Sequence, residues 1–371
     1  MSEYLGKDIF KLGFGLMRLP KLAEDVIDVE QTKVMADMFI EAGGKYFDTA
    51  YVYDDGRSEE AFAKAVAERY PRDKYFVCTK LNARVAKNEE DAKQQFWTSL
   101  ERCKCEYFDF YLLHALGDSN YQLYEDYHLW DYVKKLKEDG LIRHYGFSFH
   151  GSTGLLEQLL NEHPEVDFVQ LQVNYADWND ANVASGECVR IVRAHNKPFT
   201  IMEPIKGGKL ADPIAEVKAV FDEANSDASY ASWAVRYAAG LDGVIVALSG
   251  MSNIEQMKDN LSYMRDFKPL NEDEQKVIAK VQQIMADDKQ IKCTACHYCT
   301  EGCPMSIPIP EIFALRNRQI VDESLDLKAE YQQAADGKGK ASDCIECGQC
   351  ESACPQSLKI IDLLKQCRVM E

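Results

Sequence analysis

A chain of 371 residues with 46% apolar side chains has material for more than one core. Lys and Arg number 43 against 61 Asp and Glu, a formal charge of −18, which disfavours phosphate backbones and anionic membrane surfaces and argues against a nucleic-acid partner. No apolar run approaches bilayer length, and the opening residues lack the basic-then-apolar pattern of a leader, so a soluble cytoplasmic protein without membrane contact is expected.

Up to about residue 265, short apolar runs alternate with amphipathic ones, the pattern of a parallel sheet covered by helices. Eight strands are predicted: Ile9–Gly15, Lys45–Ala50, Tyr75–Lys80, Phe108–His114, Arg143–Phe149, Phe168–Val173, Phe199–Glu203 and Gly243–Leu248. Helices are predicted between them, including Gln31–Ala42, with Val34, Met38 and Ala42 on one stripe before Gly43–Gly44, and Leu129–Asp139 before Gly140. Eight such units without a G-x-G-x-x-G fingerprint predict a closed (β/α)8 TIM barrel rather than an open doubly wound sheet. We place the barrel at residues 1–270. A linking helix, opened by Asn271 with Glu274 three residues on, begins a second module at 271–371.

That module carries Cys293-x2-Cys296-x2-Cys299-x3-Cys303-Pro304 and Cys344-x2-Cys347-x2-Cys350-x3-Cys354-Pro355. Each run reproduces the spacing of one half of a bacterial ferredoxin, which implies two [4Fe–4S] clusters. In two-cluster ferredoxins the fourth cysteine ligates the other cluster, so the resemblance implies one set of Cys293, Cys296, Cys299 and Cys354 and a second of Cys344, Cys347, Cys350 and Cys303. A pair of zinc sites is the alternative, and the three-plus-one spacing suits the cubane better. Helices predicted at Ile309–Val321 and Leu325–Ala335 separate the motifs, as in the helical ferredoxin type that residues 290–365 resemble. The other five cysteines, Cys78, Cys103, Cys105, Cys188 and Cys367, read as buried thiols.

Asp48, Tyr53, Lys80 and His114 fall at or after the C-terminal ends of the second, third and fourth predicted strands, where barrels place their chemistry. Lys80 beside Tyr53 is expected to lower the phenol's pKa, with Asp48 holding the Lys80 charge and His114 orienting a carbonyl that Tyr53 protonates. The segments FDTAYVY, VCTKL, YLLHAL and LIRHYGFS resemble the aldo-keto reductase family over about residues 8–265, and its Asp–Tyr–Lys–His tetrad maps onto these four.

The resemblance implies a nicotinamide site, NADP(H) or NAD(H). Ser148 and Gln170 fit the contacts to the nicotinamide amide, and Ser249, Gly250, Gln256 and Asn260 those to the adenosine end. Lys206, Gly207 and Lys209, after the seventh strand, read either as a pyrophosphate grip or as solvated loop residues. Three positions depart from the family: Met202 where an aromatic ring stacks on the nicotinamide, Phe149 in place of Asn, and Gln256 where Arg clamps a 2′-phosphate, with Lys258 nearby.

Hydride moves two electrons and a cubane one, so FMN in the barrel is an expectation beside nicotinamide. The expected function is an oxidoreductase acting on a small carbonyl, alcohol or related substrate, with the clusters passing electrons to or from a partner such as ferredoxin. The alternatives are an electron-transfer protein with an idle barrel, and an ordinary reductase with structural clusters.

Overall fold

The computed structural model describes residues 5, 9–23 and 25–371. Eight parallel strands close into a barrel: β1 (Leu12–Gly15), β2 (Tyr46–Asp48), β3 (Phe76–Leu81), β4 (Phe108–Leu116), β5 (Ile142–Phe149), β6 (Phe168–Gln172), β7 (Phe199–Met202) and β8 (Val244–Ser249). Closure comes from β1, which pairs Leu12 with Ala247 of β8 and Gly15 with Asp48 of β2. Side chains pointing inward, among them Tyr46, Phe110, Leu112, Phe168 and Ile245, fill the barrel, so it is a packed core rather than a pore. The outward faces of the strands meet the helices in the larger core around Phe14, Phe39, Phe47, Leu113 and Phe147.

All eight predicted strands form, with no end shifted by more than three residues. The helix predicted from Gln31 starts at Val29, because the Asp28 side chain accepts from Gln31 N–H at 2.9 Å and caps it. A two-stranded hairpin, Lys21–Ala23 with Val26–Ile27, is absent from the sequence reading. The helix Glu272–Ala286 opens with the predicted capping box of Asn271 and Glu274. It packs Ile278 and Val281 on Phe221 and Trp233 of the barrel wall, and Gln282 Nε2 donates to the Tyr175 carbonyl at 2.9 Å.

Beyond it, helices Ile309–Val321, Lys328–Ala334 and Ile360–Cys367 surround a separate core of Ile307, Ile312, Phe313, Tyr331 and Leu364. This C-terminal domain is seated on the barrel mouth. Among the described residues no helix is long and apolar enough to cross a membrane.

Candidate active site and cluster ligands

Register brings the four tetrad positions together. Asp48 ends β2, Cys78 beside it in register is two residues before Lys80 on β3, and Lys80 in turn pairs with Leu112, two before His114 on β4. Lys80 is completely buried, and its Nζ donates to Asp48 Oδ1 and to the Thr49 carbonyl, both at 2.6 Å, and to the Tyr53 hydroxyl at 3.4 Å. Tyr53 meets His114 edge to face, with ring centroids 5.7 Å apart. His114 sits just before Ala115, whose φ of 56° kinks β4, and its carbonyl accepts from the Tyr124 hydroxyl.

The expected direction of the Tyr53 pKa is reversed. Burial, reinforced by the charges of Asp48, Cys78 and Glu203, pushes the phenol well above its ordinary value, so it is a proton donor throughout the neutral range. The Lys80 ammonium is already held by Asp48 and the Thr49 carbonyl, and desolvation outweighs its pull. His114 goes the other way: burial, then the positive charges of Lys80 and His150, hold the imidazole neutral. Asp48 Oδ2 and His114 Nδ1 are buried without a partner in the protein, a cost that a polar ligand in the mouth would relieve.

The cysteines divide as the ferredoxin rule implies. One cavity is lined by Cys293, Cys296, Cys299 and Cys354 with Pro310, Phe313 and Ile360. The other is lined by Cys303, Cys344, Cys347 and Cys350 with Ile307, Ile345 and Leu364. Each cavity thus gathers three cysteines of one loop and the fourth of the other within an apolar lining, the three-plus-one arrangement that suits a cubane. Burial pushes the Cys296 and Cys350 thiols up to about 11, so the thiolates depend on the metal they bind.

The first cavity is the one next to the barrel. Around it, Arg18 Nη2 donates to the Thr294 carbonyl at 3.0 Å, Lys209 Nζ to the Ile291 carbonyl at 2.8 Å, and Lys206 Nζ to Gln356 Oε1 at 3.0 Å. Lys206 is also paired with buried Asp177. Tyr298, between Cys296 and Cys299, reaches into the mouth with its hydroxyl 3.9 Å from Met17 Sδ, close enough to be coupled electrostatically to Tyr53 and Lys80. Glu203, at a φ of 57° after β7, accepts from Gln356 Nε2 at 3.5 Å. Burial lifts its carboxyl to about 7 against the pull of Arg18 and Lys206.

The expected nicotinamide contacts are largely taken within the chain. Ser148 Oγ accepts from Ala115 N–H at 2.7 Å. Gln170 accepts from Thr200 Oγ1 at 3.3 Å and faces Met202 Sδ at 3.7 Å. Gln256 Oε1 accepts from Ser252 N–H at 2.7 Å. Gly250 lies beside the Arg18 side chain. Ser249 Oγ and Asn260 Oδ1 alone of this set stay buried without partners. Lys206 and Lys209 are thus engaged by the C-terminal domain, whereas Ser249 Oγ and Asn260 Oδ1 are not. The sequence reading missed Arg18, Asp177, Glu203, Thr294, Tyr298 and Gln356. Of these, Tyr298 had a signal, an aromatic residue between two ligands of one cluster loop.

Fold and site together define a barrel oxidoreductase carrying an iron–sulfur domain. The sequence profile of the Aldo/keto reductase family matches residues 11–283, and that of a 4Fe-4S dicluster domain matches residues 292–359. The chain belongs to the aldo/keto reductase family. An uncharacterized oxidoreductase of Bacillus subtilis is 24% identical over 288 residues, covering 68% of this chain and 87% of its own. An aldo-keto reductase of Mycolicibacterium vanbaalenii is 30% identical over 241 residues, 63% of this chain and 77% of its own. Among solved structures, the aldo-keto reductase AKR11C1 of Bacillus halodurans in its holo form has a TM-score of 0.62 at 23% identity, covering 75% of this chain and 95% of its own. A Klebsiella pneumoniae aldo/keto reductase in complex with NADP and acetate has a TM-score of 0.60 at 21% identity, covering 76% and 93%.

Proposed function

We propose that this chain is an iron–sulfur oxidoreductase that interconverts a small carbonyl compound and its alcohol, or a related pair, in the barrel mouth, with electrons exchanged through two [4Fe–4S] clusters. The observation that carries this reading is the juxtaposition of the buried Asp48–Lys80–Tyr53–His114 group with the loop holding Cys296, Tyr298 and Cys299.

Carbonyl reduction takes up two electrons and two protons. When bound, each cluster stores and passes one electron at a time, so a pair matches the change. Tyr53 gives the proton to oxygen, being kept protonated by burial, while Lys80 offsets negative charge growing there. Neutral His114 orients the carbonyl. Glu203, with its carboxyl held near neutrality, supplies the second proton. The second cysteine cavity faces outward, with Cys347 and Ile345 exposed, and there a one-electron carrier such as a ferredoxin exchanges electrons. The Klebsiella neighbour holds NADP in the same fold, and in this chain the cysteine-rich domain stands over the corresponding loops.

Tyr53→Phe tests the reading. Turnover of carbonyl substrates by reduced protein should fall about 10²- to 10⁴-fold, with reduction of the clusters by dithionite, followed by EPR, unchanged. Turnover indifferent to the substitution would reduce the barrel to a carrier for the clusters.

A further inference from the structure

We propose that the C-terminal domain seals the barrel's phosphate loop, so that the folded, cluster-loaded chain does not bind a nicotinamide dinucleotide. The inference goes beyond the oxidoreductase reading and is separable from it. Loops after the seventh and eighth strands are where a (β/α)8 barrel usually takes phosphate, and a pyrophosphate there needs free cations, free N–H donors and close backbone approach.

The cations and the backbone approach are already engaged, as are the N–H groups of Lys206, Gly208 and Lys209. Lys206 is buried between Asp177 and Gln356. Lys209 donates to Ile291 O at 2.8 Å, and Arg18, the cation packed beside Gly250, to Thr294 O at 3.0 Å. Gly207, at a φ of 64°, has the bare backbone that a phosphate loop uses, but a Cβ placed there would lie 2.7 Å from the Thr294 carbonyl oxygen. A phosphate oxygen approaching that face meets the same carbonyl, which repels an anion.

The seal is not a loose flap. Ile291, Thr294 and Gln356 each lie within two residues of Cys293 or Cys354, ligand positions of the same cavity. Thr294 and Gln356 are both buried. Whatever fixes those cysteines therefore fixes the block. The adenosine half keeps the unpartnered Ser249 Oγ and Asn260 Oδ1, so the loss is confined to the phosphate and nicotinamide end. FMN, which also needs a phosphate grip, meets the same obstruction.

The test is equilibrium binding on anaerobic full-length protein shown by iron analysis to be loaded. NADPH and NADH, titrated by fluorescence, should show no saturable binding tighter than about 1 mM. Hydrogen exchange across residues 291–294 should be unaffected by added NADPH. The double variant Arg18→Ala, Gln356→Ala, checked for the same iron content, should bind NADPH with a Kd at least about tenfold tighter than wild type. Micromolar NADPH binding by wild type, faster exchange at 291–294 on adding NADPH, or a loaded variant that binds no better than wild type would each overturn the seal. Micromolar binding combined with Tyr53-dependent turnover would sink the seal alone and leave the oxidoreductase reading standing.

Discussion

The two cysteine loops are near copies set in opposite surroundings. Cys293-Thr-Ala-Cys-His-Tyr-Cys299 and Cys344-Ile-Glu-Cys-Gly-Gln-Cys350 share their spacing. They also share a backbone, since residues 295 and 346, 297 and 348, and 306 and 357 all take positive φ, between 49° and 78°. The residues between the ligands differ. In the first loop Thr294 is buried against the barrel and Tyr298 enters its mouth, whereas Ile345 in the second is 59% exposed and Met305, after Cys303, 37%. The ligand spacing defines the iron chemistry, and the intervening side chains define which loop meets the substrate and which meets solvent.

Removing the crossing ligands has the largest expected effect on this contrast. Cys354→Ser lies in the second motif but should strip the cavity of the first, with loss of about four of about eight irons and of turnover. Cys303→Ser should lose a similar amount of iron from the outward cavity and keep the barrel-side EPR signal. Iron analysis and EPR of the two variants decide the matter. A Cys354→Ser protein that keeps the barrel-side signal would mean that each motif holds its own cluster.

A smaller effect is expected from Glu203, which has no counterpart near the outward loop. Its carboxyl is raised from the usual 4.5 to about 7 in the folded chain, so folding binds a proton more tightly. The stabilisation is complete below the unfolded value and is lost as pH rises through about 7. Negative charge on a neighbouring cluster acts in the same direction. Glu203→Gln should therefore flatten the pH dependence of stability, by roughly 1 kcal/mol between about pH 6 and 8. Denaturant midpoints of anaerobic protein at the two pH values measure it. An unchanged slope would mean that Glu203 is ionised in the fold.

Much of this architecture was legible because barrel strands, buried on both faces, read as continuous apolar runs such as Phe108–His114. The Lys21–Ala23 and Val26–Ile27 hairpin was not, being only two or three residues a side and largely exposed. The tetrad positions could be named from the sequence, but the Tyr53 pKa direction could not, because desolvation is set by what covers the mouth. The sealing contacts were invisible for a related reason. Lys206 and Gln356 lie 150 positions apart, Arg18 and Thr294 276, and no local pattern links them.

The outward loop offers the mildest test. Ile345, exposed beside Cys344, and Met305 form an apolar face over the second cavity. Small exposed apolar patches near a redox centre suit a transient protein contact, in which losing one side chain lowers the rate without abolishing it. Ile345→Glu adds a negative charge to a chain already at −18 and should slow reduction by an acidic ferredoxin roughly two- to tenfold, more at low salt than at high. Reduction by dithionite, which needs no docking, should keep its wild-type rate. Stopped-flow absorbance with both donors separates the two. Equal slowing with dithionite would show that the substitution disturbed the cavity itself, and no slowing with ferredoxin would place the electron-exchange face elsewhere on the domain.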